Sequence, residues 1–164
     1  MDKEFILDSN IFILCHRQRY PFEMAPAFWR QLTGKGGQRV ILLDKVKDEI
    51  YRNDDELSDW LKGNEDFFQI KKVSESEVIR CYSDIISFIK ESTQYRETAK
   101  AEFASVADSW ICAYGMAYGN VIVTNEKYEP DIRKRIKIPN VCHEFNLEYI
   151  GLLEFMRELD IRFD

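Results

Sequence analysis

Apolar and polar positions along this chain fall into two patterns. Three short runs, Phe5-Ile6-Leu7, Val40-Ile41-Leu42-Leu43 and Val121-Ile122-Val123, are apolar at every position. Such runs suit strands covered on both faces, as in a parallel sheet. Longer stretches between them place apolar residues at helical spacing. The first run predicts a strand over 5–10, with Ser9 or Asn10 capping a helix that carries Ile11-Phe12-Ile13-Leu14. Pro26 suits the first turn of a short helix with Phe28, Trp29 and Leu32 inward. The cluster Gly34-Lys35-Gly36-Gly37 ends that helix; it lacks the Lys-Ser/Thr of a phosphate-binding loop and reads as a turn.

The second run predicts a strand over 40–43, then a helix capped by Asp44 with Val46 and Ile50 on its inner stripe. Asn53-Asp54-Asp55 breaks it, a helix over 56–62 follows, and 67–70 predicts a short edge strand. Ser74 with Glu77 forms a capping-box pattern ahead of a helix bearing Val78, Ile79, Tyr82, Ile85, Ile86 and Ile89. The polar stretch 91–100 predicts a loop with a partial helix. Residues 105–119 predict a helix rich in small residues, closed by Gly119. A strand over 121–124, a basic loop over 128–139, a last short strand (Val141, then 147–150) and a helix over 152–159 complete the chain. This alternation predicts the α/β class: a three-layer α/β/α fold with a central, mostly parallel sheet. No repeat or linker divides residues 1–164, which read as a single domain.

Composition narrows the picture. With 164 residues, 45% hydrophobic and 13% aromatic, the chain can bury a substantial core. No stretch approaches membrane-spanning length and the start lacks a signal-peptide pattern, so a cytoplasmic protein without membrane contact is expected. Cys15, Cys81, Cys112 and Cys142 are scattered through apolar surroundings and read as free buried thiols. The net charge of -6 argues against a surface coated to bind nucleic acid, though a local basic rim remains compatible with it.

Four acids stand where chemistry is expected. Asp8 ends the first strand, Glu49 rides the helix after the second, Asp108 opens the small-residue helix and Glu126 lies just past the third buried strand. In a parallel sheet, Asp8 and Glu126 share the carboxyl edge, where open α/β sheets bind ligands. Carboxylates gathered there repel one another until protonated or neutralised by a cation. Oxygen ligands without His or Cys favour Mg²⁺ or Mn²⁺, ions suited to phosphoryl chemistry.

The order Ile6-Leu7-Asp8-Ser9-Asn10-Ile11-Phe12-Ile13, then Glu49, then Ala107-Asp108-Ser109-Trp110-Ile111 with Ala113, then Val121-Ile122-Val123-Thr124-Asn125-Glu126 resembles that of PIN-domain ribonucleases. That family includes the toxins of many bacterial toxin–antitoxin pairs. The closing Lys137-Ile138-Pro139-Asn140-Val141-Cys142 and final short helix resemble a PIN-like branch of poorly defined role. The resemblance implies a PIN-like fold and a Mg²⁺- or Mn²⁺-dependent endoribonuclease that leaves a 5′-phosphate. It implies Asp8, Glu49 and Asp108 as metal ligands, Glu126 completing the shell directly or through water, and Asn10 and Thr124 supporting the acids by hydrogen bonds. Glu126 stands where the family more often has aspartate. RNA is then the substrate, and a small antitoxin and a second copy of the chain are further candidate partners. The Trp29 region and the polar stretch before Asp108 depart from the compact PIN pattern and leave substrate choice open.

Other readings stay beside this one. Asp8 can serve only as a helix cap, Glu49 as a solvated flank with Asp48 or Glu56 as the ligand, Asp108 as part of a capping box with Ser105, and Glu126 as a loop acid. Arg133, Lys134, Arg135 and Lys137 form either a solvated face or an RNA-phosphate rim, near which Tyr128 can stack an unpaired base. A non-catalytic PIN-like module that binds RNA or protein is the principal alternative. A phosphoryl-transfer or receiver-type enzyme is poorly served, since Asn10 stands where a second aspartate is wanted and only Lys127 suits the late lysine.

Overall fold

The computed structural model describes residues 2–164. Five strands, β1 Phe5–Leu7, β2 Val40–Leu43, β3 Gln69–Lys71, β4 Val121–Val123 and β5 Tyr149–Ile150, form one sheet in the order β3-β2-β1-β4-β5. Every neighbouring pair is parallel. β1, β2 and β4 are buried at every position, which explains their uninterrupted apolar character. Helices flank this sheet in a three-layer α/β/α arrangement consistent with PIN-like topology.

The chain runs outward from β1 through β2 to β3, then returns to the other side of β1 as β4 and β5. The order reverses between β1 and β4, so the crevice at a topological switch point lies at their carboxyl ends. Leu7 pairs with Val123, and the Asp8 N–H donates to the Val123 carbonyl at 3.1 Å. That register sets Asp8 beside Thr124.

Nine helices follow from the sequence: α1 Ser9–Leu14, α2 Pro26–Gln31, α3 Asp44–Arg52, α4 Glu56–Asn64, α5 Ser76–Glu91, α6 Glu97–Ser105, α7 Ala107–Tyr118, α8 Ile138–Phe145 and α9 Leu152–Glu158, counted among the described residues. α5 buries Val78, Cys81, Ile85 and Ile89 along one stripe and packs on α7. α7 is buried on most sides because its residues are small. A Cβ on Gly115 would come within 3.0 Å of Ile122 Cδ1 in β4, so glycine is what lets this helix approach the sheet. Gly119 ends α7 at φ 73°, and its N–H donates to the Gly115 carbonyl at 2.8 Å. The Trp29 region closes over an aromatic cluster in which Trp29 and Trp60 meet edge to face at 4.7 Å. All four cysteines are free and buried. Among the described residues, no helix is long and apolar enough to cross a membrane.

Several boundaries differ from the sequence-based expectation. β1 stops at Leu7, and Asp8 rather than Ser9 or Asn10 is the N-cap of α1. Asp44 lies inside the first turn of α3, with Leu43 at the N-cap. The Ser74–Glu77 capping box does not form, since α5 starts at Ser76 with Glu75 at its N-cap. The polar stretch before Asp108 holds a separate helix, α6, anchored by Ala99 and Phe103. Ser105 therefore closes α6, its hydroxyl donating to the Glu102 carbonyl at 2.8 Å, and Val106 caps α7. Val141 belongs to α8, whose first turn holds Pro139, and not to a strand.

Candidate acidic site at the carboxyl edge of the sheet

Asp8 follows β1 directly and is 1% exposed. Its Oδ1 accepts from the Asn10 N–H at 3.2 Å, which is the N-cap bond of α1. Its Oδ2 accepts from the Thr124 hydroxyl at 3.2 Å, and Thr124 Oγ1 in turn accepts from the Glu126 N–H at 3.2 Å. Asn10 thus reaches Asp8 through its backbone, while its own side chain lies at an exposed position.

Glu49 comes from α3 and is clamped at both oxygens. Oε1 accepts from the Ser9 hydroxyl at 2.8 Å, and Oε2 accepts from the Ala107 N–H at 2.9 Å. Ala107 is the first residue of α7, so Glu49 supplies the acceptor that Val106 cannot offer as an N-cap. Glu126 does the same for α8: Oε1 accepts from the Ile138 N–H at 3.1 Å and Oε2 from Arg135 Nη2 at 3.2 Å. Asp108 lies in the first turn of α7. The four carboxylates therefore sit at the N-termini of α1, α7 and α8, where helix dipoles and free N–H groups favour negative charge.

That compensation is incomplete. Burial pushes the Asp8 carboxyl up to about 7, with Glu126 and Glu49 adding to the rise and the Asn10 N–H and Thr124 hydroxyl opposing it. Burial pushes Asp108 up to about 8; Asp8, Glu126 and Glu49 raise it further, and Arg135 pulls it down. No hydrogen-bond donor contributes to Asp108. The set offers hard oxygen donors whose mutual repulsion its surroundings do not fully offset. Glu49 and Glu126 are nonetheless turned toward helix ends. Among the described residues, no three His, Cys, Asp or Glu side chains stand close enough together to hold a metal ion.

Of the four basic residues expected to meet RNA, Arg135 pairs with Glu126 and Lys137 with Glu129. Arg133 and Lys134 lie at exposed positions. Two further cations stand near Glu49. Lys45 and Arg52 line a cavity of about 340 Å³ with Glu49, Ala107 and Trp110, and among the described residues neither forms an ion pair. Trp110 stacks on Tyr82 at 3.8 Å. Ser9, whose position ahead of a helix reads as a cap, is instead the partner of an acid 40 residues away.

The family model described as Domain of unknown function (DUF4411) matches residues 5–163. No curated protein matches the chain. Among solved structures, the chain is similar to the crystal structure of VapBC2 from Rickettsia felis bound to a DNA fragment from their promoter. That likeness has a TM-score of 0.55 at 12% identity and covers 90% of this chain and 97% of the other, so it is one of fold.

Proposed function

The chain belongs to the DUF4411 family, and for it we propose a metal-dependent endoribonuclease that hydrolyses RNA phosphodiester bonds. The observation that carries this reading is the placement of buried Asp8 just after β1 at the switch point and of half-buried Asp108 in the first turn of α7, near enough for the Asp8 charge to be felt there, the two carboxyls being raised to about 7 and about 8. Two such groups close to neutrality are poised to trade protons for a divalent ion.

Asp8 and Asp108 would hold Mg²⁺ or Mn²⁺, with Glu49 and Glu126 closing the shell directly or through water. When bound, such an ion supplies charge neutralisation and Lewis acidity at a phosphoryl oxygen. The protein's own groups do the positioning. The Thr124 hydroxyl and the Asn10 N–H fix the two Asp8 oxygens, and Ser9 and Ala107 fix those of Glu49. Acids held this way need little reorganisation to receive charge. Lys45 and Arg52 beside Glu49, and the loop carrying Arg133, Lys134, Arg135 and Lys137 after Glu126, would draw the phosphate backbone to a site whose acids repel it. A small antitoxin protein is the partner this reading carries, by the family resemblance.

A second reading is favoured by one observation: both oxygens of Glu49 and of Glu126 are engaged in structural hydrogen bonds. On that reading the protein is a non-catalytic module that binds RNA or protein. Incubation of labelled single-stranded RNA with the protein in Mn²⁺ or EDTA separates the two. Cleavage that requires Mn²⁺ and disappears in Asp8→Asn, with circular dichroism unchanged, is the result expected of the nuclease. RNA bound but uncut in every divalent ion supports the module.

A further inference from the structure

A second cleft opens beside the acidic one. Its volume is about 260 Å³, just below the roughly 300–1,000 Å³ typical of drug-sized ligands, and Phe88, Tyr95, Tyr128, His143 and Phe145 contribute rings to walls that are otherwise polar and aliphatic. Tyr128 and His143 form one wall, stacked face to face with centroids 3.6 Å apart and planes within 3°. Phe88 and Phe145 meet edge to face at 5.5 Å on another. Tyr128 is 41% exposed despite being aromatic, and His143 is exposed as well.

The Tyr128–His143 stack is held in place. His143 Nε2 lies 3.2 Å from the Tyr149 hydroxyl. The loop bearing Tyr128 is clamped to α8, the helix bearing His143: the Glu129 N–H donates to Asn140 Oδ1 at 3.3 Å, and Asn140 Nδ2 donates to the Glu129 carbonyl at 2.8 Å. Lys137 adds an ion pair to Glu129. Three polar contacts and a charge pair thus keep an exposed aromatic platform rigid, which costs solubility unless the platform has a use.

Its location supplies one. Tyr128 is two residues beyond Glu126, so the platform stands within about 7 Å of chain from an acid of the candidate site. Glu126 also accepts from the first N–H of α8. The acidic site and this cleft therefore share both a loop and a helix. We propose that Tyr128 and His143 receive an unpaired nucleobase of a single-stranded RNA whose neighbouring phosphodiester lies at the acids, so that a stacked base helps choose where the strand is cut. This rests on the RNA reading of the acidic site. A flat, rigid π-surface with room for one ring suits a base, whereas a peptide segment would need a longer groove.

Fluorescence anisotropy with a short labelled single-stranded oligoribonucleotide, in EDTA so that nothing is cut, tests the inference on the full chain. Replacing one interior nucleotide at a time by an abasic residue should weaken binding to the unaltered protein roughly 5- to 150-fold at one position. Tyr128→Leu should weaken binding of the intact strand to a similar degree, with no further loss from the abasic change. Equal binding of intact and all abasic strands by the unaltered protein overturns the inference, and so does full-strength binding by Tyr128→Leu; the abasic arm needs no variant to fold. Base-dependent binding without Mn²⁺-dependent cleavage would sink the nuclease and leave the cleft standing. Cleavage with base-independent binding would do the reverse.

Discussion

Replacing Asp8 by Asn in the metal-free protein should raise its stability above neutral pH. The Asp8 carboxyl is raised from its ordinary 3.8 to about 7, burial first and the neighbouring glutamates next. Between those values the folded chain keeps a proton that the unfolded chain releases. Stability therefore falls as pH rises through that window, by up to about 1.4 kcal/mol per pH unit for this group. The full rise corresponds to about 4 kcal/mol, present in acid and lost once the folded carboxyl ionises. For a chain of this size that is roughly 8–16 °C in Tm. Asparagine keeps the shape and remains a good N-cap for α1, and the Thr124 hydroxyl can turn a lone pair toward the new amide. Thermal melts in EDTA from pH 5 to pH 8, which span only the upper part of that window, should show the unaltered protein losing about 2.5 kcal/mol more than Asp8→Asn. Adding Mn²⁺ at pH 8 should restore the unaltered protein and leave the variant unmoved. Parallel pH profiles for the two proteins would refute the reasoning, because they would mean that Asp8 carries no unrelieved charge.

Other outcomes follow from the same geometry. Glu49→Ala leaves the Ala107 N–H at the start of α7 without its acceptor and should cost about 1–2 kcal/mol in urea melts, whereas Glu49→Gln should retain most of that and still lose cleavage. Cleavage at limiting Mn²⁺ should rise with pH through about 7 to 8, as Asp8 and Asp108 ionise, and the rise should move to lower pH when Mn²⁺ is increased. Gly115→Val, which adds two methyl groups to a Cβ already 3.0 Å from Ile122 Cδ1, should destabilise by about 1–3 kcal/mol, read as a lower Tm. Lys45→Ala with Arg52→Ala should weaken RNA binding and flatten its salt dependence by about one phosphate contact each, measured by anisotropy across a salt series.

The strands that position the site were legible because each is buried on both faces, so that Phe5–Leu7, Val40–Leu43 and Val121–Val123 are apolar without interruption. β3 runs over Gln69–Lys71 and not 67–70, because a half-exposed edge strand leaves no burial pattern to read. α6 buries only Ala99 and Phe103 among polar neighbours and was hidden for the same reason. α8 had a signal that went unused, Pro139 in the first turn and Asn146 as a left-handed C-cap. The structure brings Asp8, Glu49, Asp108 and Glu126 to the ends of α1, α7 and α8 near the carboxyl edge of the sheet, although among the described residues no three of them stand close enough together to hold a metal ion. What the sequence could not convey is that Glu49 turns to a helix end 58 residues away and Glu126 to one 12 residues away. Those bonds depend on where α7 and α8 begin: at Ala107 rather than at 105, and at Ile138, where the sequence reads as a loop and then a strand. Ser105 and Asp108 looked like a cap of their own, while the true acceptor for α7 came from α3.

Isothermal titration of Mn²⁺ into the protein at pH 7 addresses the central claim most directly, since it asks whether Asp8 and Asp108 share a cation independently of any substrate. The account predicts saturable binding with proton release that grows as pH is lowered toward 6, and loss of both in Asp8→Asn and in Asp108→Asn. Binding of equal strength in those variants, or no saturable binding in the unaltered protein, would contradict it.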